Sequence, residues 1–195
     1  MCTIFLGDTF SLDAPEHLGR PIANRSLVRA LFMCDQVKKV VTIGSPDIWA
    51  PPGLPGTVIS KLVTVASVEE LLNAFEHGDI TAIFCSSFGK KYAQLVHFRN
   101  LNHLACPVFG FTHTLSYQDE VGAIYRFLCA GTRAYDGILC TSDCAVDVMT
   151  RLLSSVRKTL SFNPKGPALI KFPLAYESGE PGEMPDKSSD CFQVL

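Results

Sequence analysis

Short apolar runs of strand length recur along this chain, and each is followed by a stretch of helical periodicity. That alternation restricts the fold more than any motif in the sequence. The runs are residues 3–7, 38–44, 79–86, 107–111, 135–141 and 168–172, with a further short strand predicted over 58–64. Between them, apolar residues return every three or four positions: Ile22, Leu27, Ala30, Leu31 and Met33; Tyr92, Leu95, Val96, Arg99 and Leu101; Val121, Ile124, Phe127 and Leu128; Val148, Leu152 and Val156. Ser67 and Glu70 form an S-x-x-E box that starts a helix over 68–77, and Ser142 caps a helix over 145–160. Strands that are apolar at nearly every position belong in a parallel sheet covered on both sides. The expected fold is an α/β, Rossmann-like three-layer sandwich with a mostly parallel sheet of about six strands and helices on both faces. It occupies residues 1–176, and residues 177–195 have the composition of a linker or disordered tail.

Composition narrows the class. The chain has 195 residues, 47% hydrophobic and 18% charged, which suits one globular domain with a sizeable core. A net charge of −2 gives no basic footprint for nucleic acid. No apolar run reaches the roughly 18 residues of a membrane span, and the N-terminus lacks a basic signal-peptide region, so a cytoplasmic protein is expected. The eight cysteines include no CxxC pair. Cys85, Cys106, Cys129 and Cys140 sit in apolar surroundings, where a free thiol behaves as a small hydrophobe, so neither a metal nor a disulfide framework is expected. A GxGxxG fingerprint after the first strand, a P-loop and a GxSxG elbow are all absent, and no cofactor is expected. After the strand over 79–86, where a response regulator carries its phosphate acceptor, this chain reads Ser86-Ser87.

The chemistry-bearing candidates cluster at predicted carboxyl ends of strands, where an open α/β sheet binds ligands. His113, between Thr112 and Thr114, follows the strand over 107–111; an unperturbed histidine has a pKa close to neutrality, which suits a general base or a donor to a sugar or phosphate. The same position equally suits a loop histidine bonded to neighbouring backbone. Thr112, Thr114 and Ser116 offer hydroxyls, or cap the next helix. The residues from Gly19 to Asn24 open the first helix; their amides can hold an anion or a hydroxylated ligand with help from Arg20 and Asn24, which otherwise read as solvated caps. Ser142 starts a helix at a strand end; this small polar start is compatible with a ligand, though N-capping alone explains it. Ser86 and Ser87 border the same crevice, and Glu177 follows the last strand.

With those residues in view, the chain resembles the N-terminal, acceptor-side domain of a GT-B glycosyltransferase of the retaining, glycogen-synthase-like group (GT4-type). GRPIANRSLVRAL resembles the family's first loop and helix, and PVFGFTHTLSY its strand ending in a cleft histidine. YDGILCTSDCAVDVMTRLL resembles the D-x-I-x-x-x-S strand and helix, and IKFPLAYE the P-L-G-V-D/E segment, with Ala175 where the family has glycine. The resemblance implies that His113 lines the interdomain cleft, that Gly19 and the next residues approach the donor phosphates or the acceptor, and that Ser142 lies on the rim. It also implies half an enzyme. The donor-binding C-terminal domain, with its acidic E-x₇-E motif, would come from another segment or subunit, and transfer from a nucleotide-sugar to a hydroxylated acceptor would need both. The half-enzyme reading predicts an exposed apolar patch. Two other readings stand beside it. One is a free-standing Rossmann-like or flavodoxin-like module that binds a small ligand without catalysis. The other is a small hydrolase or transferase pairing His113 with Asp119 or Asp143.

Overall fold

A computed structural model describes residues 1–8, 10, 19–44, 56–113, 115 and 119–173; the side chains of residues 19–21 and 58 lie outside that description. Seven strands form one sheet: β1 (Cys2–Leu6), β2 (Val37–Ile43), β3 (Leu62–Val65), β4 (Ala82–Cys85), β5 (Val108–Phe111), β6 (Gly137–Cys140) and β7 (Ala168–Lys171). Six helices connect them: α1 (Gly19–Met33), the single turn α2 (Gly56–Ile59), α3 (Val68–Glu76), α4 (Lys90–Leu101), α5 (Glu120–Cys129) and α6 (Asp143–Thr159). All strand pairs are parallel, in the order β3-β2-β1-β4-β5-β6-β7. The expected α/β class holds, with one strand more than about six: the short run after Gly56 is split into α2 and the edge strand β3.

Two apolar cores lie on opposite faces of the sheet. On one, α1 buries Leu27, Val28 and Phe32 against Ile4, Leu6, Val40, Phe111 and Leu139. On the other, α3, α4, α5 and α6 bury Leu71, Phe75, Tyr92, Val96, Ile124, Phe127, Met149 and Leu153 against Phe5, Ile83, Val108 and Ile138. Strand residues therefore alternate between two hydrophobic layers, which explains why they read as continuous apolar runs.

Most residues of the predicted helix stripes are buried, among them Leu27, Tyr92, Leu95, Val96, Ile124, Phe127, Leu128 and Val156, but the stripe edges differ. The predicted stripes include Ile22, Met33, Leu101 and Val121, which are exposed, while Ala23, Val28, Ala93 and Ala123 face the core. Cys129 is exposed, contrary to its apolar context, whereas Cys85, Cys106 and Cys140 are buried as expected.

The amino edge of the sheet is pinned by a buried ion pair. Arg99 and Asp136 have wholly buried side chains, and the guanidinium donates to both carboxylate oxygens at 2.7 and 2.8 Å. Asp136 also accepts from the backbone N–H of Val108 at 2.9 Å and of Arg133 at 2.7 Å. One carboxylate thus ties α4, the base of β5 and the turn before β6. At the C-terminus of α1, the Lys61 ammonium donates to the carbonyls of Phe32 and Cys34 at 2.8 and 2.9 Å, satisfying groups the helix leaves open. Ser67 accepts from Glu70 N–H and Ser142 from Ala145 N–H, so both predicted caps form.

Candidate functional site

The sheet order reverses at β1, which has β2 on one side and β4 on the other, and chains cross over to opposite faces there. Such a switch point opens a crevice at the carboxyl ends of the strands. Asp8 follows β1 and Ser86 follows β4, and the two meet across it. The Asp8 carboxylate accepts from Ser86 Oγ at 2.7 Å, from Ser86 N–H at 3.1 Å, from the Cys85 thiol at 3.2 Å and from Phe10 N–H at 3.2 Å. Burial, and then the charge of Asp8, push the Cys85 thiol well above its ordinary range, so it stays protonated.

Ser86 is shared with His113. The His113 ring donates from Nε2 to the Ser86 carbonyl at 2.7 Å. A carbonyl oxygen only accepts, so Nε2 carries a proton. The ring stacks on Phe111 with centroids 6.4 Å apart at 25°. Phe111 in turn meets Phe172 edge-on at 5.8 Å. Gly110 makes this convergence possible: a Cβ there would lie 3.0 Å from the Ser87 carbonyl and 3.1 Å from Phe88 Cα, so only glycine lets the turn after β4 cross β5.

Beside His113 lies a narrow cleft between α1 and the sheet, lined by Ala23, Asn24, Leu27, Phe111, His113 and Phe172 and enclosing about 30 Å³. That volume admits one or two water-sized groups. Asn24 is not a solvated cap. It is buried, and its Nδ2 donates to the Phe10 carbonyl at 2.7 Å, joining α1 to the turn after β1.

The remaining predicted residues divide. Thr112 is buried; its hydroxyl accepts from Thr141 N–H at 3.2 Å and donates to the Leu139 carbonyl, so it stitches β5 to β6. Ser142 is an exposed N-cap. Gly19 and Arg20 form the first turn of α1, with no side-chain description for Arg20. Thr114, Ser116 and Glu177 lie outside the described residues. The two carboxylates proposed as partners for His113 are engaged elsewhere, Asp119 with Arg126 at 2.9 Å and Asp143 with Lys171 at 2.7 Å. Asp8 was missed. Its only signal was an acidic residue immediately after the first strand.

Among the described residues no helix is long and apolar enough to cross a membrane, and no group of three or more His, Cys, Asp or Glu side chains is placed to hold a metal ion. Comparison with protein-family models, with curated proteins and with solved structures finds no match.

Proposed function

We propose that this domain is the acceptor-side half of a glycosyltransferase and that it holds a hydroxylated acceptor at the cleft between α1 and the ends of β5 and β7. The observation that carries the reading is a convergence. Three of the four segments that resemble the GT-B family contribute to this one cleft: α1 through Ala23, Asn24 and Leu27, the end of β5 through Phe111 and His113, and the end of β7 through Phe172.

The chemistry suits a sugar-like ligand. Phe111 and Phe172 offer apolar ring surface, and His113 adds a polar ring held in place by Ser86, a combination typical of small-ligand sites. The bond from Nε2 to the Ser86 carbonyl fixes the His113 ring beside the cleft. The cleft takes one hydroxyl or hydroxymethyl group, and the rest of the ligand lies along its rim. Exposed Ile170 on the edge strand β7 and Phe172 just after it provide apolar surface there, of the kind a second domain covers. Transfer itself requires the leaving phosphate to be stabilised by groups on that second domain, so this half alone binds and does not turn over.

The test is an NMR or calorimetric titration with neutral mono- and disaccharides, nucleotide-sugars and free nucleotides, using the natural chain and His113→Ala. Weak, saturable saccharide binding that is lost in His113→Ala is the expected result. No response to any saccharide overturns the reading. Saccharide binding that His113→Ala leaves intact moves the site away from this cleft.

A further inference from the structure

The switch-point crevice of an open α/β sheet is its ready-made anion site, because backbone amides point into it and helix N-termini add positive potential. Among the described residues, the donors that meet Asp8 at that crevice are the Ser86 N–H, the Ser86 hydroxyl, the Phe10 N–H and the Cys85 thiol. All four converge on the carboxylate of Asp8, at 2.7–3.2 Å. The arrangement is held from both sides. Phe10 adopts a φ of 53°, a left-handed conformation that a bulky aromatic residue takes only when its surroundings enforce it. Its ring is buried in the α1 core, its N–H is held by Asp8 and its carbonyl by Asn24.

We infer that Asp8 is a built-in anion: it occupies the phosphate position of this fold and makes the crevice between β1 and β4 reject phosphorylated ligands. A phosphate entering there would meet a carboxylate in a partly buried setting, where like charges repel strongly. It would also find the Ser86 and Phe10 amides already spent, and displacing Asp8 would take its charge away from these donors. Resting on the reading above, the consequence is a substrate class: the acceptor is uncharged in the part that faces β1 and β4, and the nucleoside diphosphate of the donor is held outside this domain.

The test is an amide NMR titration of the whole chain with uridine diphosphate and, separately, inorganic phosphate, following the Ser86 and Phe10 signals. In the natural protein neither signal moves saturably up to about 10 mM, a concentration well beyond millimolar affinity. In Asp8→Gly, which vacates the donors, both probes bind at least about tenfold more tightly than to the natural chain, with Ser86 N–H shifting most. Asp8→Asn removes the charge while keeping the side-chain volume, and gains affinity in the same direction if the glycine variant does not fold. Saturable movement of Ser86 and Phe10 in the natural chain overturns the inference. So does a folded Asp8 variant that gains no affinity. Saccharide binding at His113 enters none of these readouts, so either idea can fail while the other stands.

Discussion

Replacing Asp136 by asparagine removes one charge from a pair that water does not reach. Arg99 and Asp136 both have side chains with 0% exposure, and the carboxylate takes four donors at 2.7–2.9 Å: two from the guanidinium and the N–H groups of Val108 and Arg133. Asparagine keeps one acceptor oxygen and turns an amide NH₂ toward a guanidinium that can only donate. At least one Arg99 bond is lost and its charge is left buried without a counter-ion. The Arg99 contacts to the Cys106 carbonyl and Asn100 Oδ1, at 3.1 and 2.9 Å, do not replace an anion. Breaking a buried pair by removing one partner costs about 3–5 kcal/mol. At roughly 2–4 °C per kcal/mol for a chain of this size, Tm falls by about 6–20 °C. Urea denaturation followed by circular dichroism should show a lower midpoint at an unchanged slope. Arg99→Met combined with Asp136→Leu should recover much of the loss, since no charge is then left unpaired. A loss below about 1 kcal/mol in Asp136→Asn would refute the assignment of this pair as the anchor of β5 and β6.

Three further outcomes are expected. Gly110→Ala should destabilise the protein by about 1–3 kcal/mol and shift the Ser86 and His113 resonances, because its Cβ would meet the backbone of Ser87 and Phe88; unchanged spectra would contradict the close approach. Brief alkylation near pH 8, read by mass spectrometry, should modify the exposed Cys34, Cys129 and Cys144 and spare Cys85, Cys106 and Cys140 until the protein unfolds. Burial raises the Cys106 and Cys140 thiols from 9.0 to about 11, so the folded protein holds those protons more tightly than the unfolded chain. Their contribution is therefore fully present below about pH 9 and lost as pH rises toward 11; a midpoint that stays flat over that interval in natural protein and in a Cys106→Ala, Cys140→Ala variant alike would contradict it.

Much of the architecture was legible because parallel strands buried on both faces leave an unmistakable record of unbroken apolar runs. β3 was only partly so: at four residues, with three of them half-buried, it is an edge strand with little pattern to read. Helix spacing and most of the stripe residues were legible, while the stripe edges were not. Periodicity reports that one stripe is apolar, but at Ile22, Val121 and Leu101 an adjacent hydrophobic residue on the exposed side widened the stripe and blurred its centre. Buried polar ties escaped for a different reason. Arg99 finds Asp136, Asn24 finds the Phe10 carbonyl, and Asp8 finds Ser86 only once the sheet is assembled, since each pair is distant along the chain. His113 was legible because it ends a strand, a place where open α/β sheets put their sites. The turn that brings Ser86 against it depends on Gly110, which in sequence looks like any other glycine inside a strand.

The ring nitrogens of His113 report on the proposed site directly. A long-range ¹H–¹⁵N spectrum of the labelled protein should show a proton on Nε2 in the free state, as its bond to the Ser86 carbonyl requires. Adding a neutral saccharide should shift the ring signals saturably while Nε2 stays on Ser86. A ring protonated on Nδ1 instead, or a His113 signal that no saccharide moves, would contradict a hydroxyl-binding cleft at the end of β5.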